Sequence, residues 1–323
     1  MRELPTRLPA GRCLREDGRM SQEKKLPSVG FIGLGAMGVP MAKRVAEAGY
    51  PLTVLDADAG RTEQVAADIS ASAATSAAEL GKNCQIVVTM LPTSDIVSEV
   101  LFGENGLAAS LAPGSIVIDM TSGSPNKTQA IASTLARSSI ALCDAPVSGG
   151  VPRAKTGELA IMLGGDADTI ETIRPLVSSM GTSLTVVGGI GSAHAMKALN
   201  NLVSAGGFLI GMEALLIGSR FGLSPETMVE VLNASTGMNN STQKKFKQFV
   251  LSRKFDAGFG LDLMVKDLGI ALEVASQTDT TTPFSSLCFE IWSAAKKTLG
   301  PGQDHTAVAR FQELIAGSEV NND

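Results

Sequence analysis

Two polar residues interrupt a strongly apolar run past the middle of the chain: Lys197, in AHAMKALNNLVSAGG, and Asn201 four residues later. At helical spacing both project from one face. An amine enclosed by apolar neighbours loses hydration, which disfavours its charged form and moves its pKa toward the range a general acid or base needs. The Asn201 amide can then hold a substrate oxygen beside it. A lysine that buries its stem and keeps its ammonium in water fits the same spacing equally well. His194, three residues before Lys197, shares much of this face, and a lone histidine there reads first as a hydrogen-bonded structural group.

A second constellation lies near the N-terminus. VGFIGLGAMG, residues 29–38, places Gly33, Gly35 and Gly38 at the end of an apolar run, and VPMAKRVAEAGY follows with helical spacing. In G-x-G-x-x-G the first glycine makes the tight turn, the second lets a pyrophosphate approach the main chain, and the third lets helix and strand pack closely. The loop Gly33, Leu34, Gly35, Ala36, Met37 and Gly38 would set the phosphates on free amides at a helix N-terminus. The next run, PLTVLD, ends in Asp56, 18 residues beyond Gly38. A carboxylate there can take both ribose hydroxyls of NAD and repels a 2′-phosphate. The alternative is a solvated turn acid in LDADAG, and Arg61 nearby leaves NADP open as a second cofactor.

These groups need elements to hold them. From Val29 to about Val187, short apolar runs (VGFIGLG, LTVLD, IVVTMLP, SIVIDM, ALCDAPVS, LAIMLGG, LTVVGG) alternate with helical patterns. Runs nearly continuous in apolar and β-branched residues are strands covered on both faces, so an α/β, doubly wound parallel sheet (a Rossmann domain) is expected. After Gly191 the strand signals stop, and apolar residues recur at three- and four-residue spacing. Ser224-Pro225 and Thr282-Pro283 read as helix starts with proline in the first turn. The expected division is a disordered extension at 1–27, a dinucleotide-binding domain at 28–190, an all-helical substrate and oligomerisation domain at 191–316, and a tail at 317–323.

The 323 residues exceed a usual single core and can bury a large one. With a net charge of −5 and no basic block past the first 25 residues, nucleic acid and anionic membrane are poor partners, and a small metabolite fits better. Cys13, Cys84, Cys143 and Cys288 are scattered, without CxxC and with only two histidines, so neither a disulfide framework nor a metal site is expected. A reducing cytoplasm follows as the default. The lipid-like segment LVSAGGFLIGMEALLIGS contains Glu213 and several glycines and reads as a helix buried in protein. The first 25 residues mix five arginines with Glu3, Glu16 and Asp17, unlike a secretory or transit peptide, and Met20 reads as an alternative start.

Four blocks, GFIGLGAMGVPMA, DAPVSGGVPRAKTGEL, GSAHAMKALNN and FGLDLMVKDLGIAL, together resemble the β-hydroxyacid dehydrogenase family, over about Val29 to Leu314. That family includes 3-hydroxyisobutyrate dehydrogenases, tartronate semialdehyde (2-hydroxy-3-oxopropionate) reductases and, more distantly, 6-phosphogluconate dehydrogenases. The resemblance implies that Lys197 is the catalytic lysine and Asn201 the substrate asparagine. It implies that Ser148, Gly149 and Gly150 present a hydroxyl and amides to the substrate carboxylate, as a glycine pair after a strand can. Met90, Leu91 and Pro92 would border the nicotinamide, and Ser122 would touch cofactor and substrate, where the family more often has threonine. Lys266, with Asp267 beside it, would be a second lysine near the nicotinamide, although on pattern alone the pair passes for a solvated one. Asn200 replaces the histidine of some subfamilies and points away from the phosphogluconate branch. Asn239, Asn240 and Ser241 would sit near the substrate mouth and favour a polar substrate, while an interhelical loop explains the same composition equally well.

The expected activity is NAD-dependent interconversion of a short 3-hydroxy acid and its 3-oxo acid, with Lys197 as general acid and base and a homodimer or homotetramer as the assembly. A longer, sulfonated or phosphorylated acid, favoured by Arg153 or Lys155 at the mouth, is the rival within the family. A silent NAD-binding scaffold is the rival outside it.

Overall fold

A computed structural model describes residues 26–320. The extension expected at 1–27, up to residue 25, the alternative start at Met20, and residues 321–323 lie outside the described residues. The first half runs β1 (Val29–Ile32), α1 (Gly38–Glu47), β2 (Leu52–Leu55), α2 (Ala59–Asp68), β3 (Ser72–Ala73), α3 (Ala77–Asn83), β4 (Ile86–Thr89), α4 (Ser94–Phe102), β5 (Ile116–Asp119), α5 (Pro125–Ala136) and β6 (Ala141–Asp144). It continues through β7 (Val147–Ser148), α6 (Gly150–Thr156), β8 (Leu159–Gly164), α7 (Ala167–Ser178) and β9 (Gly181–Gly188). The second half is helical: α8 (Ser192–Arg220), α9 (Pro225–Asn233), α10 (Asn240–Lys244), α11 (Leu261–Gln277), α12 (Pro283–Leu299) and α13 (Val308–Ala316).

The strands form one sheet in the order β3-β2-β1-β4-β5-β6-β8-β7, with β9 beside β8. From β3 to β6 every pairing is parallel. Every residue of β4 and β5 is buried, and the two faces divide them by alternation. Ile86, Val88, Ile116 and Ile118 join the core under α1, α2, α6 and α7, while Val87 and Val117 join the core under α3, α4 and α5. This is why the runs read as continuous in sequence.

One departure from the parallel reading occurs after β6. LAIMLGG enters as β8 antiparallel to β6, meeting it only at Asp144 and Gly164. The seven-residue α6 is too short to carry the chain back across the sheet, whereas the twelve-residue α7 does so and makes β9 parallel to β8. The sequence reading also passed over the two-residue edge strand β3, which is too short and polar to leave a pattern.

Ser224 caps α9 through the Thr227 amide, and Pro225 opens that helix; Pro283 opens α12. Helix α8 spans 29 residues, about 43 Å at 1.5 Å per residue. Its own N-cap, Gly191, has no side chain to offer, and Asp144 at the end of β6 supplies the acceptors instead. The Asp144 carboxylate takes the amides of Gly191 at 2.8 Å and His194 at 2.9 Å. Gly164 leaves room for that carboxylate, since a Cβ there would lie 2.5 Å from Asp144 Oδ1. The sheet thus holds the start of the helix that bears Lys197.

In the helical half Phe208 of α8 meets Phe246 and Trp292 edge-on, with centroids 5.2 and 6.0 Å away. Helix α8 is long and apolar enough to cross a membrane by composition, yet half of its most apolar window is buried against neighbouring helices. Past α13 the chain turns at Gly317 and buries Val320, whose amide donates to Glu313.

Candidate active site

The glycine loop follows β1 at the place where strand order reverses between β1 and β4, the usual binding crevice of such sheets. Gly33 takes φ +101°, a left-handed conformation that glycine adopts without strain. A Cβ on Gly38 would fall 1.8 Å from the Gly33 carbonyl, so the first turn of α1 can pack on the loop only without one. Gly35 has nothing within 4 Å of its hypothetical Cβ and opens onto free space. At the end of β2, Asp56 Oδ2 accepts the Leu34 amide at 2.7 Å, and Arg61 lies 3.7 Å from Oδ1. The acid is therefore tied to the loop, and the guanidinium stands where a 2′-phosphate would need a partner.

A cavity of about 720 Å³ runs along this edge. It is lined by Gly33, Gly35, Ala36, Met37 and Gly38 of the loop, by Asp56 and Arg61, by Met90, Leu91 and Pro92 after β4, by Ser122 after β5, and by Lys266 and Asp267 of α11. These residues fit a dinucleotide: open backbone for the pyrophosphate, a carboxylate at the ribose position, and an apolar floor toward the helical half. Leu34 is not among the lining residues: its side chain is buried and its amide donates to Asp56. Sequence reasoning passed over Ile96 and Val100 on α4 and the Gly258–Gly260 turn, which close the cavity. Ordinary apolar and glycine positions carry no signal of this kind.

The loops at the strand ends are held from below. Asp119, buried at the end of β5, accepts from Thr89 Oγ1 at 2.9 Å and from the Thr121 amide at 3.1 Å, and Thr121 Oγ1 accepts from the Leu91 amide at 3.1 Å. Lys266 crosses from α11, donating to the carbonyls of Pro92 (3.2 Å) and Ser122. Its Nζ also lies 3.2 Å from Asp267 Oδ1. Asp267 is 1% exposed, so the pair is no solvated helical pair. Asp267 Oδ2 accepts Asn201 Nδ2 at 2.6 Å, and Asn201 Oδ1 accepts from Asn200.

Lys197 sits one turn before Asn201 on α8. Burial pushes its pKa below the ordinary lysine range; Asp267 opposes the shift and Lys266 adds to it. Both of those groups line the cavity, so the amine answers to charges at the cavity wall although Lys197 and Asn201 lie just behind the lining. By surface exposure the side chain is half-buried, so its lowered pKa, and not complete enclosure, sets it apart from a snorkelling lysine. His194 is deeply buried, with Nδ1 2.7 Å from Thr128 Oγ1, and serves as a structural anchor between α8 and α5.

Ser148, Gly149 and Gly150 form the turn between β7 and α6, and the two glycines take φ +132° and +67°. Val151, the next residue, lines the cavity, whereas Ser148, Gly149, Gly150, Arg153 and Lys155 are not among its lining residues. The polar segment after α9 behaves differently from expectation. Asn239 spends its side chain on a capping box for α10 and on the Gly207 carbonyl, Ser241 is buried, and Asn240 is exposed. A polar N-cap and a substrate-reading residue look alike in sequence.

Comparison with known proteins agrees with this architecture. The family described as the NAD binding domain of 6-phosphogluconate dehydrogenase matches residues 28–189, and that described as the NAD-binding of NADP-dependent 3-hydroxyisobutyrate dehydrogenase matches residues 191–312. The chain is 34% identical over 299 residues to 2-(hydroxymethyl)glutarate dehydrogenase of Eubacterium barkeri, covering 92% of this chain and 99% of the relative. It is 32% identical over 292 residues to 2-hydroxy-3-oxopropionate reductase of Escherichia coli K12, covering 90% and 99%. Among solved structures, 3-hydroxyisobutyrate dehydrogenase of Mycobacterium tuberculosis with L-serine is similar at a TM-score of 0.82 and 28% identity, covering 89% of this chain and 99% of that one.

Proposed function

The chain belongs to the β-hydroxyacid dehydrogenase family, and from that premise we propose that it interconverts a short 3-hydroxy acid and its 3-oxo acid with Lys197 as general acid and base. It is an NAD(P)-dependent oxidoreductase; the Asp56 carboxylate favours NAD, and Arg61 keeps NADP as the alternative. The single observation that carries the reading is the Lys197 amine, its pKa lowered by burial and acted on by Asp267, which holds Asn201 at the wall of the dinucleotide cavity.

The bound nicotinamide supplies or accepts the hydride. During reduction the Lys197 ammonium gives its proton to the carbonyl oxygen as that oxygen takes on charge; during oxidation the neutral amine takes the hydroxyl proton. Asp267 holds Asn201 and stands against both lysines, leaving the second Nδ2 hydrogen of Asn201 for the substrate oxygen. Ser122, Ser148 and the amides at Gly149 and Gly150 would receive the carboxylate. Tartronate semialdehyde and 3-hydroxyisobutyrate, the latter named in the M. tuberculosis relative, are the first substrates to try; the E. barkeri relative makes a longer acid the second reading. Lys197→Ala should cut turnover by roughly 10² to 10⁴ with dinucleotide affinity largely kept, measured by stopped-flow NADH absorbance and fluorescence titration. Undiminished turnover would remove Lys197 from the chemistry.

We also propose a cytoplasmic homodimer or homotetramer. Val203, Ile210 and Ile217 recur at seven-residue spacing along α8 and are 76, 56 and 71% exposed, an apolar stripe that a second copy can cover. Light scattering should give twice or four times the chain mass, and Ile210→Glu should lower it.

A further inference from the structure

Beyond the catalytic lysine, the face of α8 that carries Lys197 and Asn201 continues through Ser204 and Phe208, at helical spacing. A second lysine reaches this face from another element. Lys245, at the end of α10, places its Nζ 3.2 Å from Ser204 Oγ and 5.9 Å from the centre of the Phe208 ring. The side chain is half-buried, and among the described residues no carboxylate pairs with it.

The carboxylate that acts on Lys245 is Asp304, but that group is already engaged. Its Oδ2 accepts the amides of Gly258 (2.8 Å) and Phe259 (3.1 Å), and its Oδ1 accepts the amide (2.9 Å) and hydroxyl (2.6 Å) of Thr306. Asp267 is likewise committed, to Asn201 and Lys266. Two lysine side chains therefore converge on one face of α8, with Asp304 hydrogen-bonded elsewhere and Asp267 paired with Lys266. Burial, partly offset by Asp304 and reinforced by Lys197, lowers the Lys245 pKa to about 8. An enclosed cation without an ion-pair partner costs free energy that a bound anion would offset. Ser204 is seven residues, roughly 10 Å of helix axis, beyond Lys197.

We infer that Lys245 and Ser204 form a second anion position in the substrate pocket, so that the preferred hydroxy acid carries a further anionic group at the end remote from its first carboxylate. The inference rests on the reading of Lys197 as the acid-base group of a hydroxy acid dehydrogenase. A carboxylate, a sulfonate and a phosphonate share the chemistry that Lys245 would recognise: charge-assisted hydrogen bonds from an ammonium and a hydroxyl.

The test is the oxidation, with NAD, of 3-hydroxypropanoates bearing at C2 a methyl group, a carboxyalkyl arm of one to three carbons, the matching carbamoylalkyl arm, or a sulfoalkyl or phosphonoalkyl arm. The wild-type kcat/KM should favour a charged arm over its carbamoyl counterpart by roughly 10- to 100-fold, the range of a charge-assisted bond. Lys245→Met should bring that ratio close to one, Lys245→Arg should keep most of it, and Ser204→Ala should reduce it several-fold. The ranking of the three charged arms identifies the group. Because each ratio compares two substrates on the same folded enzyme, loss of protein does not enter it. A wild-type ratio near one, or a ratio preserved in Lys245→Met, overturns the inference. If the wild type oxidises none of these acids, the hydroxy acid reading fails by itself. Calorimetry on the NAD-loaded protein then decides the second position: glutarate at least tenfold tighter than butyrate, with the difference lost in Lys245→Met, sustains it, and equal affinities overturn it.

Discussion

The dinucleotide cavity and the lysine cluster behind it are built by opposite means. The cavity is mostly contiguous backbone: the five residues between β1 and α1, and short loops after β2, β4 and β5, each fixed where a strand ends. The lysine cluster is side chains from α8, α10 and α11, brought together only because α8 starts against Asp144 and α11 packs along it. The first tolerates no added atoms at its tight turn. The second tolerates no change in charge. The proposed reaction uses both, the cavity to hold the dinucleotide and the amine to move the proton.

Substituting the two kinds of glycine in one loop breaks the comparison most sharply. Gly38→Ala places a Cβ against the Gly33 carbonyl and should destabilise the protein by about 3 kcal/mol or more, with loss of NADH binding, read by thermal melting and NADH fluorescence. A wild-type melting temperature would show that the turn is not the rigid feature described.

The lysine cluster should respond in its pH profile. In the proposed mechanism oxidation uses the neutral Lys197 amine, so kcat/KM for oxidation should rise with pH through a pKa below that of an ordinary lysine, and reduction should fall through the same range. Asp267 raises that pKa, so Asp267→Asn should move both limbs to lower pH. A merely structural Asp267 would change the amplitude and leave the midpoint where it was.

The smallest effect separates space from stability. Gly35→Ala meets nothing within 4 Å and should alter stability by less than about 0.5 kcal/mol. It should nonetheless weaken dinucleotide binding, because the added methyl occupies the approach of the pyrophosphate. Equal affinity would place the phosphates elsewhere.

The Lys266-Asp267 pair shows where reading the chain stops. As a pattern it is an ordinary charged pair on a helix, and only the resemblance of its block singled it out. Asn239 shows the converse, a polar residue that reads as a substrate contact and is an N-cap, because the same amide serves either purpose until its neighbours are known. Lys245 carries no mark that separates it from its neighbours Lys244 and Lys247, and only its approach to Ser204 and Phe208 sets it apart.

From the sequence alone came the alternation of strand and helix, the change to an all-helical half after Gly191, and the backbone demands of Gly33 and Gly38, because periodicity and steric permission are local properties of a chain. The tertiary structure decided which way β8 runs, that Asp144 rather than a local cap starts α8, and which acids stand near which lysines. Those outcomes depend on distances between residues far apart in sequence, and a pKa or an ion pair follows from such distances and from the water they exclude.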